Sequence, residues 1–206
     1  MVVMGGNILA QNEIPQNQLS DTARIRSHGA TSRATNDRII LRWAPSDFNY
    51  WDMGNTYGYN IEKIAFKSDP FNTAIENANE DVTWRKITET PLKPWTLDQY
   101  KVASKDTTNK SLGVAMEMLY GEIYGNKDVL TGENMANAMN EQQNKHAYAL
   151  MAADLDAPTA LSLGLRFEDK DVKPGMFYLY RITIAHIDAE YPTDTSEIYV
   201  DFSKKY

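Results

Sequence analysis

At 206 residues, with 42% hydrophobic and 24% charged side chains, the chain can bury one good core with a satellite but has little room for two full domains, and its composition argues against wholesale disorder. A formal net charge of −7, from 28 Asp and Glu against 21 Lys and Arg, repels a phosphate backbone, and no dense basic cluster offsets it, so nucleic acid is not expected as a partner. The absence of cysteine removes disulfides, thiolate metal sites, cysteine nucleophiles and lipid anchors on cysteine.

In chain order, residues 1–10 (MVVMGGNILA) form a short apolar run ahead of a polar stretch. The run has the core and small-residue end of a signal-peptide remnant, with Ala10 last but no basic start, and it sets the expectation of an exported chain: extracellular, cell-surface or periplasmic. No other run approaches the ~18 apolar residues of a membrane helix, so no membrane span is expected. Residues 11–37 are rich in Gln, Asn, Ser, Thr and Arg without a period and read as a linker, leaving 38–206 as the folded domain.

Residues 38–43 (RIILRW) predict a strand with Ile39, Leu41 and Trp43 on one face, stopped by the following Ala44-Pro45-Ser46-Asp47. A turn-rich stretch over 48–58 leads to a second strand over 59–66. After a polar loop, residues 82–87 predict a third strand, closed by Pro91 and Pro94. The period then changes. Leu112, Ala115, Met116, Leu119 and Ile123 predict an amphipathic helix over 110–124. A second helix opens at Thr131, suited to the N-cap, and runs through Met135, Met139, His146, Leu150 and Ala153. A third, short helix has Asp156 as cap, Pro158 in its first turn and Gly164 just past its end. Residues of about 97–168 therefore read as a helical insertion carrying its own small core. Strands resume at 177–186, where Tyr178, Tyr180, Ile182 and Ile184 share a face, and at 197–202, where Ile198, Val200 and Phe202 point inward, making a hairpin.

Strands at both ends with helices only between them argue against βαβ units and leave a mainly β fold with an α insertion, an antiparallel β-sandwich. The segment Ile39-Ile40-Leu41-Arg42-Trp43-Ala44-Pro45 resembles the second strand of the fibronectin type III domain, an immunoglobulin-like sandwich of seven strands. Gly58-Tyr59-Asn60-Ile61-Glu62-Lys63 is similar to its third strand. Val172-Lys173-Pro174-Gly175-Met176-Phe177-Tyr178 resembles the turn into its sixth strand, with Tyr178 as the corner tyrosine whose hydroxyl bonds back to that turn. The resemblance covers roughly residues 35–99 and 169–204, and the insertion is its one departure; loop-closure cost grows only logarithmically with length, so the fold tolerates it. It implies a non-catalytic binding or spacer module of a secreted or cell-surface bacterial protein, contacting protein or glycan. The alternative it implies is an accessory domain of a larger secreted hydrolase whose catalytic part lies outside this chain.

The chemistry-bearing residues fit that expectation. His28 in the linker, His146 in a helix and His186 at a strand end have no metal-site spacing and read as surface or half-buried structural histidines. There is no Gly-x-Ser-x-Gly elbow, Walker loop or dinucleotide fingerprint. Asp154 and Asp156, and Glu168, Asp169 and Asp171, lack the glycine-centred calcium-loop pattern; Asp156 is assigned to helix capping, and Asp169 and Asp171 to a solvated turn. Neither a catalytic residue, a cofactor nor a metal is expected. The aromatic-rich loop at 48–54 supplies the candidate ligand contacts Tyr50 and Trp51, whose faces either meet a sugar or peptide side chain or pack beneath the insertion. Trp95, between Pro94 and Thr96, carries the same two readings. Met116, Met118, Met135 and Met139, at helical spacing, read as core.

Overall fold

A computed structural model describes residues 28–71, 83–105, 108–121, 132–186 and 195–203. The described residues form β1 (His28–Ala34), β2 (Ile39–Pro45), α1 (Phe48–Tyr57), β3 (Tyr59–Phe66), β4 (Arg85–Lys86), α2 (Leu97–Ala103), α3 (Lys110–Tyr120), α4 (Gly132–Leu155), α5 (Ala157–Ser162), β5 (Arg166–Asp169), β6 (Phe177–Ile184) and β7 (Ser196–Asp201). Two antiparallel sheets result, one ordered β1-β2-β5 and the other β4-β3-β6-β7. No helix among the described residues is long and apolar enough to cross a membrane.

Alternation sets the inner faces. Along β2, Ile39, Leu41, Trp43 and Pro45 are buried and Arg42 turns outward; along β6, Tyr178, Tyr180, Ile182 and Ile184 are buried. The two faces meet at Trp43, whose ring stands edge-on to Tyr59 with centroids 5.4 Å apart. One contiguous core takes Ile39 and Leu41 from β2, Ile61 from β3, Ile182 from β6 and Val200 from β7. Each such aliphatic side chain contributes about 1.5–3 kcal/mol on burial.

The same core also takes Leu112 and Ala115 of α3, Ala149 and Ala153 of α4 and Ala160 of α5. This corrects the expectation of an insertion with a core of its own: the helices and sheets share one interior. Helices also hold more residues than strands, so the fold is mixed α/β and not mainly β.

Four elements depart from the sequence expectations. β1 lies within the expected linker and pairs along the whole of β2, from His28 opposite Pro45 to Ala34 opposite Ile39. Its sequence, HGATSRA, buries only His28, so the backbone ladder holds it and no alternation announces it. β5 falls partly within the expected insertion and pairs with β2, placing Asp169 opposite Ile39. The turn-rich stretch after Pro45 is helix α1, capped by the Asp47 side chain, which accepts from Tyr50 N at 3.1 Å. Helix α2 opens with a capping box in which Thr96 and Gln99 exchange side chain to backbone bonds.

The strands expected at 59–66, 177–186 and 197–202 and the three helices of the insertion are present, with ends shifted by a few residues. α3 ends at Tyr120, and Ile123 lies outside the described residues, as do the signal-peptide segment, Val82 of the expected third strand and the expected cap Thr131. Asp156 caps α5 as expected, accepting from Thr159 N at 2.9 Å, and Gly164 follows with φ +66. Asn109, the cap of α3, donates to the same Asp156 carboxylate at 2.7 Å and so joins two helix starts. Met116 and Met118 pack against the core, whereas Met135 and Met139 are exposed, a correction to their reading as core.

Candidate functional site

The strongest candidate surface is a groove where α1 faces α4. It follows from three anchors. Asp47 starts α1 directly after β2, and His146 of α4 donates from Nε2 to the Pro45 carbonyl at 3.2 Å, pinning α4 beside that start. Lys145 Nζ donates to the carbonyl of Gly121 at 2.6 Å, holding α4 to the end of α3. Tyr120 Oη donates to the Trp95 carbonyl at 2.5 Å and Lys93 Nζ to the Thr56 carbonyl at 2.6 Å, closing the far wall.

The groove consists of two hollows of about 360 Å³ and about 510 Å³ that meet at Phe48 and Gln142. The smaller is bounded by Asn49, Gln143 and His146, the larger by Asn55, Lys145 and Tyr120. Phe48 is half-buried and Tyr120 is exposed. The side-chain amides of Asn49, Asn55, Gln142 and Gln143 have no hydrogen-bond partner among the described residues, although they line the groove together. Most of the charges beside them are committed to backbone: Asp47 to its cap, and Lys93 and Lys145 to the carbonyls above.

The three expected ligand contacts are not brought together. Trp51 lines the larger hollow but is only 3% exposed, with Phe48 edge-on at 5.9 Å and His146 at 6.0 Å, so its ring packs beneath α4. Of its two readings, packing describes where it lies. Tyr50 is half-buried against the core and outside the groove lining. Trp95 is half-buried, edge-on to Tyr100 at 5.6 Å, and contributes its carbonyl to Tyr120. The aromatic segment at 48–54 pointed toward the groove, but Asn49, Asn55, Gln142 and Gln143 carried no signal: with α1 read as a loop, nothing showed that its polar side faces α4.

A second polar constellation bridges the sheets. Asp169 of β5 and Lys63 of β3 are buried, 5% and 3% exposed at the side chain, and Nζ lies 2.7 Å from Asp169 Oδ2. Tyr180 Oη donates to the same oxygen at 2.8 Å, and Asp171 N donates to Oδ1 at 2.9 Å. Lys63 also donates to the Asp171 carbonyl. Asp169 thus lies buried and paired, not in the expected solvated turn, whereas the Asp171 side chain is exposed as expected. Burial, with the neighbouring Asp169 charge behind it, pushes the Tyr180 hydroxyl far above the ordinary tyrosine range, so it serves as a donor. The hydrogen bond from Arg85 holds the Asp171 carboxyl below its ordinary value.

At the other end of β2, His28 is fully buried, a correction to its reading as a linker histidine. Its Nε2 donates to the Ile182 carbonyl at 2.9 Å, and its own carbonyl accepts from Ser196 Oγ at 2.5 Å. These groups are spent on structure. A last polar contact lies at the entry to β6, where Tyr178 Oη accepts from Lys173 N at 2.7 Å.

No family model matches the chain, and neither a curated protein nor a solved structure matches it.

Proposed function

We propose that the chain is an immunoglobulin-like β-sandwich module of the fibronectin type III kind, part of a secreted or cell-surface protein, that works by contacting protein or glycan and not by catalysis. The observation that carries the reading is the strand order. The first, second and fifth strands share one sheet, and the third, sixth and seventh share the other, which is the division of immunoglobulin-type sandwiches. β4 joins the second sheet beside β3. The segments that resemble the second, third and sixth strands of the family are β2, β3 and β6 here, and the bond between Tyr178 and Lys173 has the form of the corner tyrosine.

The binding role rests on how polar groups are used. Lys63, Asp169, Tyr180 and His28 are occupied in bonds that join the sheets, whereas the amides of Asn49, Asn55, Gln142 and Gln143 line the groove between α1 and α4 without a partner among the described residues. Recognition surfaces on such scaffolds sit in the segments that link their strands. The test is a screen of the whole chain against immobilised extracellular glycans and peptides, followed by mass analysis of the captured ligand. Capture with the ligand recovered unchanged is expected. Conversion of the ligand to a product, or no capture from either class, would contradict the proposal.

A further inference from the structure

We infer that the groove between α1 and α4 is a binding site for an uncharged oligosaccharide, an assignment that rests on the binding-module reading above. Its two hollows each fall in the size range of small-ligand sites, about 300–1,000 Å³, and their junction at Phe48 and Gln142 makes one elongated cleft suited to a chain of units.

The chemistry of the lining selects the ligand class. Each amide of Asn49, Asn55, Gln142 and Gln143 offers a carbonyl acceptor and two N–H donors, and none is consumed by the protein among the described residues. Sugar hydroxyls donate and accept at once, so they match this set better than an acceptor-only anion or a donor-only cation. In the groove Lys93 and Lys145 balance Asp47 and Asp52, and all of these but the exposed Asp52 are already bonded to backbone groups. An acidic sugar would also face the net charge of −7. Phe48 and Tyr120 line the groove and add aromatic apolar surface beside the amides.

Peptide modes fit less well. Strand addition needs an open sheet edge, but the groove is walled mainly by helices whose backbone groups are bonded internally. Helix capture needs a continuous apolar groove read at helical spacing, and here four amides and the charges of Asp52, Lys93 and Lys145 interrupt the apolar lining.

The test is an NMR titration of the whole chain with cellohexaose, xylohexaose, mannohexaose and maltohexaose, with hexagalacturonate as the anionic control and a random peptide library as the competing class. At least one neutral hexasaccharide is expected to shift the side-chain amide signals of Asn49, Asn55, Gln142 and Gln143. The double variant Asn55→Ala with Gln142→Ala should then bind it at least tenfold more weakly while its Tm stays at the parental value. Tighter binding of hexagalacturonate, or saccharide binding that survives in the double variant, would overturn the assignment. Peptides that move these signals where no saccharide does would overturn the ligand class and leave the binding-module reading standing. Silence from every probe would remove both.

Discussion

Tyr178 and Lys63 show what single side chains hold: Tyr178 fixes the turn into β6, and Lys63 joins one sheet to the other. The Tyr178 hydroxyl accepts the Lys173 N–H, and Tyr178→Phe leaves that donor without its partner. The expected cost is about 1–3 kcal/mol in urea unfolding, the penalty for an orphaned polar group. An unchanged midpoint would show that water replaces the bond freely. Lys63→Met is more severe, because it strands the buried Asp169 charge, and a loss of about 3–5 kcal/mol is expected. Adding Asp169→Leu should recover part of that loss, since the charge and its desolvation go together. A double variant no better than the single would mean that packing, not charge pairing, dominates at this site. The Tyr178 bond was legible from the turn that precedes it, but the Lys63–Asp169 pair was not: Asp169 read as a turn residue because its cation is more than a hundred residues away and meets it only through β3 and β5.

Among the elements, α1 and α5 were read with opposite success, for reasons their glycines and caps explain. α5 announced itself, because Asp156, Pro158 and Gly164 stand at the positions that a short helix uses to start and stop. α1 did not, because Gly54 and Asn55 look like turn residues. In the fold, Gly54 is the point where Tyr59 crosses the helix, and a Cβ there would lie 2.0 Å from Tyr59 Oη. Gly54→Ala is therefore expected to destabilise by about 1–3 kcal/mol through overpacking, although alanine favours an isolated helix. A gain in thermal stability would show that α1 does not lie on β3. At α5, the Thr159 hydroxyl, followed by the Asn109 amide, holds the Asp156 carboxyl below its ordinary value. A carboxyl with a lowered folded pKa adds stability that is complete above its unfolded value and disappears as pH falls through the folded one. The parent should thus lose stability faster on acidification than Asp156→Asn, which keeps a good cap without the titration. Parallel curves of urea midpoint against pH would remove Asp156 from the acid response.

For the molecule as a whole, β2, β6, β7 and the first half of β3 were legible because apolar residues there fall at alternate positions. β1 and β5 were not, because the partner strand defines them more than their own side chains do. The groove was half legible. Phe48 and Trp51 drew attention as aromatics, but the amides opposite them gain meaning only when α4 crosses α1, a relation that no local pattern carries. The placement of the helices also decides how the molecule comes apart. Ala149, Ala153 and Leu112 share the interior of Trp43 and Ile182, so removing the helices exposes the sheets. The most direct measurement is equilibrium urea unfolding followed by far-UV ellipticity for the helices and by tryptophan fluorescence for the buried Trp43 and Trp51. A single common core requires the two curves to superimpose in one transition. Loss of the helical signal at a lower midpoint than the main fluorescence change would show that the inserted helices merely rest on an independent pair of sheets.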